Sequence, residues 1–167
     1  MAVPVLPIVE EPHLVAWDLT ARPCEIGQWR DTTADVLKRW DAAPDAIDFA
    51  CLGVTELLVN VGQHAGDPRC RLVIRRRQGS LYLLVRDRSA VLPVLSEPDW
   101  TATSGRGLWL LREMAGALGC LLTSAPGKWV WVRYDAPGAF VSEQLRPRVR
   151  QINAASVANL LSKGGGQ

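Results

Sequence analysis

Three side chains that can move a proton or hold a hard cation stand four residues apart in one stretch, Glu56, Asn60 and His64. They lie within DAIDFACLGVTELLVNVGQHA, Asp45 to Ala65. At helical pitch this spacing stacks them in one row. Glu56 can take a proton from an attacking hydroxyl. Asn60 offers a carbonyl oxygen suited to magnesium, an ion that keeps waters and substrate phosphates as most of its ligands. His64, near the helix end, can donate to terminal carbonyls or complement the dipole when protonated. The same row also suits a helix face that is simply solvated. Asp87, ending LYLLVRD, can accept a hydrogen bond from an exocyclic amine such as adenine carries. Aspartate is equally at home there as a strand-terminating turn residue. Gly105-Arg106-Gly107 opens another helical run, where free N–H groups and the Arg106 charge suit an anion. Those three residues also make a plain loop-to-helix joint.

The elements that must position these groups are legible in the periodicity. Residues 1–12 carry three prolines and little pattern, and read as a loose arm. His13 to Ala21 reads as a strand and Ile26 to Trp40 as an amphipathic helix. Pro44 bars continuation from upstream, and Asp45 can accept from the free N–H groups of a new first turn. Ile47, Ala50, Cys51, Val54, Leu58 and Val61 then form the apolar stripe of the helix that carries Glu56 and Asn60. Cys70 to Arg77 and Ser80 to Arg86 make a hairpin through Gln78-Gly79. Asp87 to Ser104 loses periodicity and is long for a loop, a length usually tied to function. Leu108 to Ala117 reads as a helix with Gly119 as its C′ residue. Cys120 to Ser124 and Trp129 to Tyr134 form a second hairpin. Ile152 to Leu161 has weak helical character within a tail, 136–167. Helices and antiparallel strands segregate along the chain. The expected class is therefore α+β, a two-layer sandwich of a mixed, mostly antiparallel sheet against a helical layer.

Composition narrows the function. With 167 residues and 48% hydrophobic content, one globular domain is expected, spanning 13–135 between arm and tail. A net charge of +2 gives no footprint for nucleic acid. The four cysteines lie far apart, without metal-ligand spacing, and point to reduced thiols in the cytoplasm. No apolar run approaches a membrane span, and the N-terminus lacks a signal-peptide pattern. There is no G-x-x-x-x-G-K-[ST] and no β–α–β unit with a Gly-rich first turn. The site would be a nucleotide pocket of another kind.

Three boxes in order, ELLVNxxxH (Glu56 to His64), VxDxSxxxP (Val85 to Pro93) and GRGLWLL (Gly105 to Leu111), resemble those of the GHKL ATPases. Closest in pattern are the stand-alone anti-sigma factor serine kinases of actinobacterial type. The resemblance runs from about Leu14 to Tyr134 and includes the GKWVW strand. It implies the Bergerat, histidine-kinase-like ATPase fold, with ATP and Mg2+ as cofactors. Glu56 then corresponds to the general base, Asn60 to the magnesium ligand, and His64 closes the same box. Asp87 corresponds to the adenine-reading aspartate, and Gly105, Arg106, Gly107 and Leu108 to the phosphate-side box under a lid of residues 87–104. Ser89 stands where many relatives carry glycine, and Leu118-Gly119 where close relatives carry Trp-Gly. No upstream phosphoacceptor histidine is present, which argues against a sensor histidine kinase. The implied function is that of an ATP-dependent protein serine/threonine kinase with anti-sigma factor activity. Its expected partners are an anti-anti-sigma (STAS-type) protein and a sigma factor, with homodimerisation. A nucleotide-gated binding module with little turnover is the alternative.

Overall fold

Strand residues that alternate between apolar and charged build a sheet with one face toward the helices. The computed structural model describes residues 6–93, 101 and 106–135. Six strands pair in the order β1-β2-β3-β4-β6-β5. They are β1 (Val9–Glu11), β2 (Leu14–Thr20), β3 (Arg69–Arg77), β4 (Ser80–Asp87), β5 (Ala117–Leu122) and β6 (Lys128–Asp135). Every pairing among them is antiparallel. Three helices, α1 (Ile26–Arg39), α2 (Pro44–His64) and α3 (Gly107–Met114), complete an α+β sandwich. The main core lies between the layers. There Trp17, Leu72, Ile74, Leu83, Val85, Val130 and Val132 from the sheet meet Trp29, Leu37, Phe49, Leu57, Leu58 and Leu111 from the helices. A second buried cluster of Leu14, Ala16, Val73, Leu84, Trp129 and Trp131 lies on the opposite face of the sheet.

Three local expectations change. Residues 1–12 were expected to be a patternless arm, but Val9–Glu11 pairs with Leu14–Ala16 as an edge strand. Three residues are too few to show a period; the neighbouring strand supplies their hydrogen bonds. On α2 the cap is Ala43, with no side-chain bond, and Pro44 occupies the first turn. Asp45 therefore acts inside that turn as a charge favourable to the dipole. Phe49, Gly53 and Leu57 join the buried face of α2, while Ile47 and Cys51 are only half-buried. This helix packs against α1, α3 and the sheet at once, so its buried arc is wider than one stripe. The third change concerns α3, which stops at Met114. Gly119 sits within β5, where a Cβ would run into the Trp131 indole. Strand pairing with β6 overrode the helical pattern there.

The β3–β4 hairpin closes with two residues at positive φ, Gln78 at 50° and Gly79 at 79°. Two left-handed residues match the right-handed twist of the flanking strands, and glycine bears this conformation best. Gln78 does not. Gln78→Gly should stabilise the fold by about 0.5–1 kcal/mol, read as a higher midpoint in urea at unchanged slope. A lower midpoint would mean that the side chain is stabilising in place.

Candidate functional site

The site is assembled by α2 crossing the start of α3 and by the ends of β4 and β6. Glu56 is half-buried on α2, and its carboxylate lies directly against the Cα of Gly107, the first residue of α3. Any side chain at Gly107 would collide with that carboxylate. Burial pushes the Glu56 pKa up, because few groups there replace the water that a carboxylate loses. Among the described residues Glu56 has no ion pair. A carboxylate of raised pKa beside a helix N-terminus can take a proton from a group held there.

Asn60 follows one turn later on α2, half-buried, about 6 Å along the axis. His64 ends the helix and is exposed, so it continues the row without being enclosed with Glu56. Arg106 is the N-cap residue of α3, and its carbonyl accepts from Leu110 N–H. Leu108 is partly buried and packs against the main core, which helps to seat α3. Gly105 lies outside the described residues, as do most of the expected lid (94–100 and 102–104) and the tail 136–167.

Asp87 is the last residue of β4, and its side chain is 1% exposed. Its Oδ1 accepts from Ser89 N–H at 2.8 Å and from Lys128 Nζ at 3.0 Å. Nζ also approaches Oδ2 to 2.8 Å, yet Oδ2 receives no aligned hydrogen bond and is closed to solvent. Ser89 thus closes a two-residue turn onto the Asp87 carboxylate through its backbone N–H. Sequence reasoning missed Lys128, which it placed in a hairpin loop. The signal available was a lone lysine leading the apolar WVW run. The register pairs Lys128 directly with Asp87, and the close approach of Gly127, at φ 140°, to the Asp87 carbonyl leaves no room for a Cβ.

These residues suit a nucleotide with magnesium. Asp87 Oδ2, paired with the Lys128 ammonium but accepting no aligned hydrogen bond, has acceptor capacity left for an amine of a base, and the first turn of α3 fits phosphate oxygens. No cluster of three His, Cys, Asp or Glu exists among the described residues.

A cleft of about 460 Å³ opens at the same end of the sheet, lined by Arg69, Arg71, Arg86, Arg88, Asp18 and Asp87 among others. It meets the site only at Asp87. Arg71 is already held in a fork by Asp18 at 2.7 and 2.9 Å, and Arg69 by Asp67. Cys70, also lining it, has its thiol pushed up to about 12 by burial, with the nearby Asp87 and Asp18 charges adding. All four cysteines are free thiols, and Cys24 is exposed. Iodoacetamide at about pH 8 should therefore label Cys24 first and Cys70 last in the native protein. Equal rates by mass spectrometry would contradict this burial.

Comparison with known proteins agrees with the geometry. The curated proteins contain no match to this chain. The crystal structure of the RsbU and RsbW domains of Rv1364c from Mycobacterium tuberculosis superimposes with a TM-score of 0.56 at 15% identity. The match covers 78% of this chain and 34% of that one, so this chain spans about a third of that protein. At such identity the likeness is one of fold. No described helix is long and apolar enough to cross a membrane. The family model of the histidine kinase-like ATPase domain matches residues 19–134, from the end of β2 to the end of β6, and the chain belongs to that family.

Proposed function

We propose that this protein is an ATP-dependent serine/threonine kinase with anti-sigma factor activity, acting on a STAS-type anti-anti-sigma partner. The observation that carries the reading is the Glu56 carboxylate set against the first turn of α3, since nucleotide binding alone needs no base there. In this reading Asn60 holds the magnesium ion, which when bound supplies neutralisation of phosphate charge. Glu56 orients and deprotonates the partner's hydroxyl, and Arg106 with the N–H groups of α3 steadies the phosphate end. Asp87 fixes the base. The chain would work in the cytoplasm as a homodimer and bind its sigma factor while the partner is phosphorylated.

The deciding experiment is calorimetry with Mg-ATP, followed by transfer of labelled γ-phosphate to candidate STAS-type partners. Absence of binding would sink the reading, and binding without transfer would leave a nucleotide-gated module. Asn60→Ala should weaken binding by about tenfold in magnesium and change it little in EDTA. Equal losses in both media would remove Asn60 as the metal ligand.

A further inference from the structure

The face of the sheet that points away from the helices is buried, although none of the described helices packs on it. Register sets Ala16, Val73, Leu84, Trp131 and Gly119 side by side in one row across β2, β3, β4, β6 and β5. Val73, Leu84 and Trp131 are 1%, 0% and 1% exposed. An antiparallel sheet with one face left to water does not enclose apolar side chains so completely. The Trp131 indole N–H is buried with them and has no hydrogen-bond partner among the described residues. The enclosure is uneven. In the next row toward the end of β6, Arg75 is 8% exposed although it is charged. In the row on the other side, the Asp18 and Arg71 side chains are 56% and 46% exposed. The cover therefore sits toward the end of β6 at Asp135, where the chain leaves the sheet.

We propose that this face is a docking surface for the protein's own C-terminal segment, with residues 152–161 laid on the Val73–Leu84–Trp131 row as a helix. The burial arises within a single chain, so its cover belongs to that chain. Residues 1–5 are too few to make it, and 94–105 lead into α3 on the opposite face. Residues 136–167 follow directly on β6, which itself supplies Trp129 and Trp131 to the face. Fully extended, residues 136–151 reach about 50 Å, twice the width of about 25 Å that six strands occupy. In a helix, Ala154, Val157, Ala158 and Leu161 share one side. Its length of about 15 Å is enough to cover the row. No charged residue lies between Gln151 and Ser162. So short a helix is marginal in water and needs a surface for its apolar side. While docked, it keeps this face from a second copy of the chain. The inference is independent of the nucleotide reading.

The test is hydrogen–deuterium exchange by mass spectrometry on the full-length protein, joined to NMR of its tryptophan indole N–H signals. Amides of 152–161 should exchange at least about tenfold more slowly than in a free peptide of the same sequence. The Trp131 indole should show Overhauser contacts with the methyl groups of Val157 or Leu161. Val157→Asp with Leu161→Asp, in the full chain, should return the exchange to the free-peptide rate and move the Trp131 signal. The signal of Trp29, in the main core on the other face, should stay in place. Exchange of the wild type at the free-peptide rate overturns the proposal, and so does a Trp131 signal that the double variant leaves unmoved. Protection that is lost on dilution gives the face to a second copy and overturns it too. The wild-type exchange and Overhauser contacts decide even where the variant fails to fold.

Discussion

Glu56→Gln should reduce phosphate transfer by about two to four orders of magnitude while Mg-ATP affinity changes by no more than about threefold. The exchange keeps the shape of the side chain and removes only its ability to accept a proton as a base. The carboxylate lies against Gly107, so an amide of equal size can occupy the same space. A second signature comes from burial. Because Glu56 has a raised pKa, the folded state holds its proton more tightly than the unfolded state does. Its contribution to stability is most favourable below the ordinary glutamate range and declines as pH rises through the raised value. Above that value the folded state carries the full cost of a half-buried charge. Glu56→Gln should accordingly melt higher than wild type at neutral pH, with the difference vanishing at low pH. Single-turnover transfer with labelled ATP and melting curves across pH give the two readouts. Equal transfer by variant and wild type would remove Glu56 as the base, whatever the melting shows.

Lys128→Ala should destabilise the fold by about 3–5 kcal/mol, a fall in melting midpoint on the order of 10 °C. The reason lies in the remaining partner. Asp87 is 1% exposed and its Oδ1 keeps only the Ser89 N–H once the ammonium is gone. A buried carboxylate without a counter-ion costs far more than the pair contributed together. Asp87→Leu with Lys128→Met should recover most of the loss, since a well-packed apolar pair can replace a buried ion pair at little cost. Urea titrations of Asp87→Leu, Lys128→Met and the double variant form the cycle. If the double variant loses the sum of the two single losses, the residues act independently and the bridge is not what holds the strand ends. This prediction concerns folding alone.

The strand and helix periods, the Gln78-Gly79 turn and the three boxes were local signals, and they determined the segregated α+β order and the Glu56/Asn60 row. Each rests on short-range physics: a repeat of two or of 3.6 residues, or a backbone conformation that few residues bear. The sequence could not show which groups on those elements meet. Gly107 looked like a joint of a glycine-rich loop. Only the packing of α2 on α3 sets the Glu56 carboxylate in the space that a Cβ at Gly107 would take. Lys128 looked like a loop residue 41 positions from Asp87, until the β4–β6 register set the two side by side. Gly119 looked like the end of a helix, until pairing with β6 placed it under Trp131. His64 was counted in the row by spacing alone, and tertiary structure left it exposed at the end of α2. Contacts between distant segments depend on register and on layer packing, which carry no local period. So the sequence alone determined which groups could do chemistry on this chain, and the fold decided which of them share a site.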